Sequence, residues 1–315
     1  MAHNLHLMGK SKFINVVFYT LKPLIPRGVQ LWLRRKLIYR KLSKYADVWP
    51  ILEKAGARPE GFSGWPDGKK FAVVLTHDVE LQRGHDRCKS LMALEQKHGF
   101  VSSFNFVPER YKVSPALRNH LQANGFEVGV HGLNHDGKLF QSRKTFLERA
   151  KKINAYIKEW QVVGFRAPAM HHNLDWIHDL DIAYDLSTFD TDPFEPQSDG
   201  VATIYPFWVA KNGSGYVELP YTIAQDFTPY VLMREKTIDI WKKKVDWIVS
   251  KGGMVLVNVH PDYMAFDDKK PGLEEFPSAM YEELLMYLNS RYSGQFWNAL
   301  PKTLSRFWKE QVLSV

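Results

Sequence analysis

The sequence is poor in residues that could form disulfide bonds or an all-cysteine metal site. Cys88 is the only cysteine among the 315 residues. An internal disulfide bond and a four-cysteine zinc site are therefore both excluded. Any metal bound by this chain must use histidine, aspartate or glutamate ligands, and the single cysteine is consistent with a reducing compartment.

A long hydrophobic run is also missing from the sequence. The apolar run at residues 13–21 is short, is followed by Lys22 and Pro23, and has no small-residue cleavage site. It therefore does not predict a signal peptide. No stretch reaches the ~20 consecutive apolar residues of a membrane-spanning helix. These absences predict a cytoplasmic protein.

Acidic residues are nearly absent from the first 50 residues, which contain six Lys, four Arg and one Asp. This segment carries +9 and the whole chain +8, so residues 51–315 sum to −1. Within residues 28–45, apolar residues that include Trp32 alternate with Arg and Lys at helical spacing. A basic amphipathic helix of this kind can bind peripherally to the anionic inner face of a membrane. The alternatives are a helix that packs on the main domain with a solvated basic face, and nucleic-acid binding, which we do not expect.

Strand-like and helix-like segments alternate after a linker rich in Gly and Pro at residues 59–70. Short apolar, β-branched runs predict strands at residues 71–76, 102–107, 127–130, 162–168, 183–188, 216–222 and 254–259. Helical patterns occupy residues 87–99, 114–125, 145–160, 237–253 and 278–290. This alternation predicts a (β/α) barrel or a doubly wound sheet. We assign residues 1–68 to a basic, helical extension with a linker, and residues 69–315 to the barrel.

Four predicted strands are each followed directly by charged or titratable residues. These residues are His77, Asp78 and Glu80 after the first strand, His131 after the third, Arg166 after the fourth and His260 after the last. In a parallel barrel the carboxyl ends of all strands meet on one face, where active sites are built. The pattern therefore predicts one functional site at this face.

His131 and His135 lie four residues apart, which is a weak signal for metal binding when taken alone. At the end of a strand they offer two nitrogen ligands, and a carboxylate from Asp78 or Glu80 offers a third ligand. Two histidines and one carboxylate leave coordination positions open for water and substrate.

The remaining residues of the group can provide acid and base catalysis. A second carboxylate beside a metal-activated water can act as general base, and Arg166 can keep that carboxylate ionised and oriented. His260 can protonate a leaving group. A metal flanked by a base and an acid is suited to hydrolysis of an amide or an ester.

At these residues the sequence resembles the polysaccharide deacetylases, which are carbohydrate esterase family 4 and share the NodB homology domain. The family's motifs occur in order as THDVE (76–80), HGLNH (131–135), RAP (166–168), YDLSTFDTDPF (184–194) and VNVHPDY (257–263). The resemblance covers about residues 70–265. It implies a distorted (β/α)7 barrel and a divalent metal, usually zinc, with cobalt, nickel or manganese as alternatives. It also implies a hydrolase that removes an N-acetyl group from an amino sugar in a glycan or glycan precursor.

The resemblance also implies a role for each matching residue. Asp78 matches the base, His260 the acid and Arg166 the residue that orients the base. His131 and His135 match the metal ligands.

The first motif departs from the family pattern. Val79 stands where the usual metal-binding aspartate is found. Some branches of the family use a D-x-D or D-x-E form, in which the second carboxylate binds the metal. On that form Glu80 is the ligand and Asp78 the base, and the swapped assignment remains open. Gly132 replaces the usual Ser or Thr, which removes one hydrogen bond that supports the ligands.

Four further residues are candidates for supporting or substrate-contacting roles. Asp185 and Asp190 are candidates for orienting His260, although Asp also favours turns. His171 and His172 have no counterpart in the family motifs. They are either substrate contacts or ordinary loop residues.

Three functions compete on these grounds. The first is a metal-dependent N-deacetylase of an acetylated amino sugar, in which metal-activated water attacks the amide with Asp78 as base and His260 as acid. The second is an allantoinase-like hydrolase of a small non-sugar amide. The third is an inactive barrel that binds a glycan or a metal. We expect the first.

Overall fold

The computed structural model describes residues 25–266 and 270–313. It divides into two compact units, the first ending at Lys44 and the second beginning at Tyr45. The first unit contains helix α1, Arg27–Leu42. The apolar run at residues 13–21 lies outside the described residues. Among the residues described, no helix is both long enough and apolar enough to cross a membrane.

The division after Lys44 lies earlier in the chain than the boundary that we assigned after residue 68. Residues 45–68 belong to the larger unit because their aromatic side chains are buried in it. The ring of Phe62 lies 5.0 Å from that of Trp308 and 5.7 Å from that of Tyr205. The indole nitrogen of Trp65 donates a hydrogen bond to the carbonyl oxygen of Gly252 at 2.8 Å. The Gly- and Pro-rich segment is thus a packed loop of the larger unit.

Helices of the larger unit include all five that the sequence predicts, with two further ones. They are α2 (Gln82–Lys97), α3 (Pro115–Ala123), α4 (Arg143–Trp160), α5 (Leu174–Ile177), α6 (Asp239–Lys251), α7 (Ser278–Tyr292) and α8 (Pro301–Leu313). Side-chain oxygens of Ser114 and Ser142 accept hydrogen bonds from the first turns of α3 and α4, which explains where these helices begin. Helix α6 ends at Gly252, whose φ of 74° is favourable for glycine.

The strands of the larger unit include the seven that the sequence predicts. They are β1 (Phe71–Val79), β2 (Ser102–Phe106), β3 (Glu127–His131), β4 (Gly164–Arg166), β5 (Tyr184–Asp185), β6 (Phe207–Lys211), β7 (Ser214–Glu218), β8 (Met254–Val259), β9 (Met264–Ala265), β10 (Phe276–Pro277) and β11 (Phe296–Asn298). β9 and β10 form a separate parallel pair.

The main sheet has the order β11-β1-β2-β3-β4-β5-β7-β6, and β8 also pairs with β1. All of its pairs are parallel except that of β6 and β7. The sheet is curled, and helices surround it, so the predicted distorted (β/α) barrel is confirmed. Every residue of β1 is buried, as expected for a strand with neighbours on both sides and helices over one face.

One strand that the sequence analysis missed is β6, which forms an antiparallel hairpin with β7. Its turn contains Asn212 and Gly213, with φ angles of 48° and 80°. Two successive positive φ angles are typical of a tight hairpin turn, for which Asn-Gly is the favoured pair. The signal was therefore present in the sequence.

A buried ion pair joins α6 to the loop that follows β5. The Lys244 ammonium donates to the Asp190 carboxylate and, at 2.6 Å, to the carbonyl oxygen of Pro50. Both charged side chains are almost fully buried. Burial raises the pKa of Asp190 to about 6 even though Lys244 acts in the opposite direction. This pair therefore fastens residues near 50 and 190 to the outer helix layer.

Replacement of Asp190 by alanine should lower the free energy of unfolding by about 3–5 kcal/mol, because it leaves a buried ammonium without its partner. The control is Glu283→Ala, which breaks the partly exposed pair with Lys242 and should cost less than about 1 kcal/mol. Urea unfolding followed by circular dichroism measures both. Equal losses in the two variants would contradict the importance of the buried pair.

Candidate metal and active site

Successive side chains of β1 point to opposite faces of the sheet, so the adjacent residues His77 and Asp78 lie on different sides. His77 points away from the site, and its Nε2 lies 2.9 Å from Glu95 and 3.0 Å from Ser102. Asp78 points into the barrel, and Glu80 follows just beyond the strand. His77 is therefore part of the packing between the sheet and the helices and not of the site.

Glu80, His131 and His135 form the cluster best placed to hold a metal ion. One ligand atom from each lies within 4.8 Å of the others. The Nε2 atom of His131 is buried and has no hydrogen-bond partner, and the Nε2 atom of His135 lies 3.0 Å from Glu80 Oε1. The Nδ1 of His131 lies 3.1 Å from the carbonyl oxygen of Arg166. Because a carbonyl oxygen only accepts, Nδ1 carries the proton and Nε2 keeps its lone pair.

The protonation states of these residues also fit a divalent metal. Burial lowers the pKa of His131 to about 4, so this imidazole is neutral at pH 7, as a metal ligand must be. Burial alone would raise the pKa of Glu80, but the charge of His135 and its hydrogen bond outweigh burial and hold that pKa well below the usual value. The donor set and the unpartnered Nε2 of His131 therefore fit a two-histidine, one-carboxylate site.

The loop after β3 has an unusual backbone that explains why Gly132 replaces the family's Ser or Thr. Gly132 has a φ of 61° and His135 a φ of 54°. A Cβ atom added at Gly132 would lie 2.4 Å from the ring of Pro168. Both the backbone conformation and the close approach of this proline therefore require glycine. Pro168 takes the space in which a hydrogen-bonding side chain would stand.

Asp78 is held by three donors from three other strands. Its Oδ1 accepts from the Asn105 amide and from Arg166, both at 3.1 Å, and its Oδ2 accepts from the Asn258 amide at 2.9 Å. Burial acts to raise the pKa of Asp78. The charges of Arg166, His131 and His260 and the Asn258 hydrogen bond outweigh it and hold that pKa well below the usual range. Asp78 is consequently an oriented carboxylate, 3.9 Å from each of the two neighbouring histidines.

Arg166 is fully buried and links Asp78 to the rest of the barrel. Its Nη1 donates to Asp78, to Asn258 and to the hydroxyl of Thr76. Its Nε donates to the carbonyl oxygen of Leu186 at 2.9 Å. The predicted orienting role of Arg166 thus agrees with its contacts, since the guanidinium fixes both the charge and the position of Asp78.

His260 lies on the other side of Asp78 and Glu80, at 3.9 Å from each carboxylate. Its Nδ1 is 2.7 Å from Asp226 Oδ1, and its backbone nitrogen donates to Asp226 Oδ2, also at 2.7 Å. Burial would lower the pKa of His260, but Asp226 together with Glu80 and Asp78 raises it to about 10. His260 is therefore an imidazolium with Nε2 facing the site, as a general acid requires.

Two residues that follow His260 position Glu80. The hydroxyl of Tyr263 donates to Glu80 Oε2 at 3.0 Å. The Asp262 carboxylate accepts from the backbone nitrogens of Glu80 and Leu81, both at 2.9 Å. A Cβ atom at Gly84 would lie 2.2 Å from this carboxylate, so the glycine gives Asp262 the space that it needs.

The expectation that Asp185 or Asp190 orients His260 is wrong, because Asp226 takes that place. Asp185 is buried, accepts from the Ser187 hydroxyl at 2.6 Å and lies opposite Glu218 on the neighbouring strand. Burial raises the pKa of both carboxyls. Asp190 is the partner of Lys244. Both predicted aspartates thus lie in the packing of the fold and not beside His260.

The two unassigned histidines differ in position. His171 lines a small cleft together with the ligand His135, along with Arg149 and Pro168. His172 turns to its own loop, where its Nδ1 lies 2.9 Å from the carbonyl oxygen of Met170. Of the two, His171 is the one that lies in a cleft with His135.

Sequence reasoning missed four residues that complete the site: Asn105, Asp226, Asn258 and Asp262. Asn258 is the single polar residue of the otherwise apolar strand β8, and Asn105 lies between two phenylalanines of β2; these irregularities are a usable signal. Asp262 is the carboxylate directly after His260 and Pro261. Asp226 lies in a connecting segment far from any motif, and no local pattern distinguishes it from other aspartates.

Comparison with known proteins finds likeness in structure alone. No family model and no curated protein matches the sequence. A Mycobacterium smegmatis protein assigned as a polysaccharide deacetylase superposes with a TM-score of 0.61 at 18% identity, over 79% of this chain and 93% of that chain. A Pseudomonas aeruginosa protein with the same assignment gives 0.57 at 14% identity, over 80% and 95%. The Puue allantoinase gives 0.58 at 14% identity, over 82% and 96%.

These structures each span most of the chain, and their likeness extends over the barrel that carries the site. The resemblance noted in the five sequence motifs is therefore confirmed at the level of the fold. The chain has the fold of the polysaccharide deacetylases.

Proposed function

We propose that this protein is a metal-dependent hydrolase that removes an N-acetyl group from an amino sugar in a glycan or glycan precursor. One observation carries the proposal. The cluster of Glu80, His131 and His135 lies between an oriented carboxylate, Asp78, and a protonated imidazole, His260. This is the arrangement needed to hydrolyse an amide, which requires a base for water and an acid for the leaving nitrogen.

Glu80, His131 and His135 would hold a divalent metal, zinc in our proposal, which would supply Lewis-acid chemistry for the acetyl carbonyl and for water. Asp78 accepts the proton from the attacking water, and Arg166 keeps this carboxylate ionised until then. The Nε2–H of His260 protonates the sugar nitrogen as the carbon–nitrogen bond breaks. Water and the amide thus give acetate and a free amine.

Asp226 fixes the nitrogen through which His260 can act as an acid. Asp226 accepts from Nδ1 of His260, so Nε2 is the atom that gives up a proton. The ligand side chains Glu80 and His135 keep about 15% of their surface exposed, so an acetamido group can approach from solvent. The glycan substrate is supported by the two deacetylase structures that share the fold.

An allantoinase-like reaction is the second candidate. The TM-score of the allantoinase, 0.58, lies between those of the two deacetylases, so the fold does not separate the two activities. The small cleft beside His135 is lined by neither Asp78 nor His260, so its size does not separate a compact amide from a polymer. The inactive barrel requires Asp78 and Glu80 to point away from the histidine pair, and both face it.

The test is acetate release from N-acetylglucosamine oligomers of one to six units by the zinc-loaded protein, with allantoin hydrolysis measured in parallel. We expect acetate from the sugars and none in Asp78→Asn, which removes the base. Turnover of allantoin without acetate release would favour the second candidate. If Asp78→Asn kept the activity of the parent protein, the mechanism would be contradicted.

A further inference from the structure

Helix α1 is strongly cationic. Six of its sixteen residues are Lys or Arg, and none is Asp or Glu. The side chains of Lys36, Arg40 and Lys41 are exposed. The helix therefore presents positive charge while the larger part of the chain, residues 51–315, is close to neutral. A surface of this kind favours an anionic partner.

The same helix exposes an unusual amount of apolar surface. Five large apolar side chains on it expose between 42% and 55% of their area: Val29, Trp32, Leu33, Leu37 and Tyr39. At ~100° per residue these five span about 160° of the helix circumference. Leu31 and Ile38, which are buried, lie on the opposite side. The exposed arc is therefore one continuous face.

Two cations lie within this apolar face. Lys36 and Arg40 fall between Trp32 and Leu33 in the circular projection, and the Lys36 ammonium lies 4.0 Å above the Trp32 ring. Long cationic side chains can keep their apolar stems against a hydrophobic surface while the charged ends reach water or lipid phosphates. Trp and Tyr are also the residues that favour the headgroup region of a bilayer.

We propose that α1 binds to the surface of an anionic lipid bilayer, with this apolar face in the headgroup and upper acyl region. A nucleic acid would satisfy the charge but would leave Val29, Leu33 and Leu37 without an apolar partner. A bilayer satisfies both the charge and the apolar face. The helix is about 24 Å long at ~1.5 Å per residue, so it lies along the surface and does not span the membrane.

The test uses the full chain in sedimentation with vesicles of phosphatidylcholine alone or with 30 mol% phosphatidylglycerol. The apolar variant carries Trp32→Ser, Leu33→Ser and Leu37→Ser. The charge variant carries Lys36→Glu, Arg40→Glu and Lys41→Glu. The control variant carries the same charge change at exposed lysines of the larger unit: Lys89→Glu, Lys151→Glu and Lys158→Glu.

We expect the parent protein to bind the anionic vesicles. In the charge variant the affinity should fall at least roughly 100-fold, because each basic residue near such a surface contributes to the binding free energy. The apolar variant should also lose binding, and the control variant should keep most of it. Because all the substituted side chains are exposed, circular dichroism should show each variant folded.

Three outcomes would overturn the proposal. Equal loss in the control variant would mean that net charge alone governs binding. Retained binding in the apolar variant, with tighter binding of the parent to a 30-nucleotide single-stranded DNA, would assign the helix to nucleic acid. A parent dimer that becomes a monomer in the apolar variant, measured by light scattering, would assign the face to contact between two copies of this chain.

Discussion

Replacement of Glu80 by alanine is expected to empty the metal site and to lower kcat/KM by roughly 1,000-fold or more. Glu80 supplies the only carboxylate oxygen of the three-ligand cluster. Loss of a supporting hydrogen bond at a metal site already costs ~10–100-fold in affinity, so loss of a ligand should cost more. A bound metal stabilises the charge of the transition state by several kcal/mol. Loss of that stabilisation corresponds to a loss of rate of about this size.

The matched comparison is Asp78→Asn, two residues away on the same side of β1. Asp78 contacts Arg166, Asn105 and Asn258 and lies outside the cluster. This variant should therefore keep one divalent metal per chain while losing turnover. Elemental analysis after dialysis and acetate release measure the two properties separately.

The pair of variants also decides which carboxylate is the ligand. If Asp78→Asn loses the metal while Glu80→Ala retains it, the assignment of ligand and base is reversed. If both variants keep the metal, His131 and His135 hold it without either carboxylate, and neither Asp78 nor Glu80 is a required ligand. Thermal unfolding of each variant distinguishes these results from misfolding.

Much of the site was predictable from the sequence because strand ends in a parallel sheet converge. Asp78, His131, Arg166 and His260 each follow an apolar run, and the fold brings all four to one face. The alternation of side chains along a strand also separates His77 from Asp78. Applying this period to β1 in the sequence would have excluded His77 from the site.

The partners of these residues were less predictable, because they come from distant positions in the chain. Asp226 is 34 residues from His260, and Asn258 is 180 residues from Asp78. No local pattern marks Asp226, and the polar position in β8 that marks Asn258 does not show which residue it contacts. Asp190 lies in the segment at residues 184–194 that matches a family motif, but in the structure it forms an ion pair with the buried Lys244 of α6. An aspartate that faces a helix and one that faces the barrel look alike in sequence.

The second-largest expected effect is on kcat, when the negative charge of Asp226 beside His260 is removed. In Asp226→Asn the amide oxygen can still accept from Nδ1 of His260, while the hydrogen bond from the backbone nitrogen of His260 to the second oxygen is lost. The negative charge that helps raise the pKa of His260 to about 10 is lost, and the pKa therefore falls. We expect kcat to drop by about 100-fold, within the range of acid–base catalysis.

The pH dependence of this variant gives the sharper test. Activity requires protonated His260, so it declines as pH rises through the pKa of that residue in the folded enzyme. A lower pKa in Asp226→Asn therefore moves the alkaline limb of the pH–rate profile to lower pH. The control is Asp185→Asn, which changes another buried aspartate that does not contact His260 and should leave the limb in place. A limb that moves in Asp185→Asn and stays fixed in Asp226→Asn would show that Asp226 does not set the charge of His260. The charge of His260 would then depend on Asp78 and Glu80, whose carboxylates lie 3.9 Å from its Nε2.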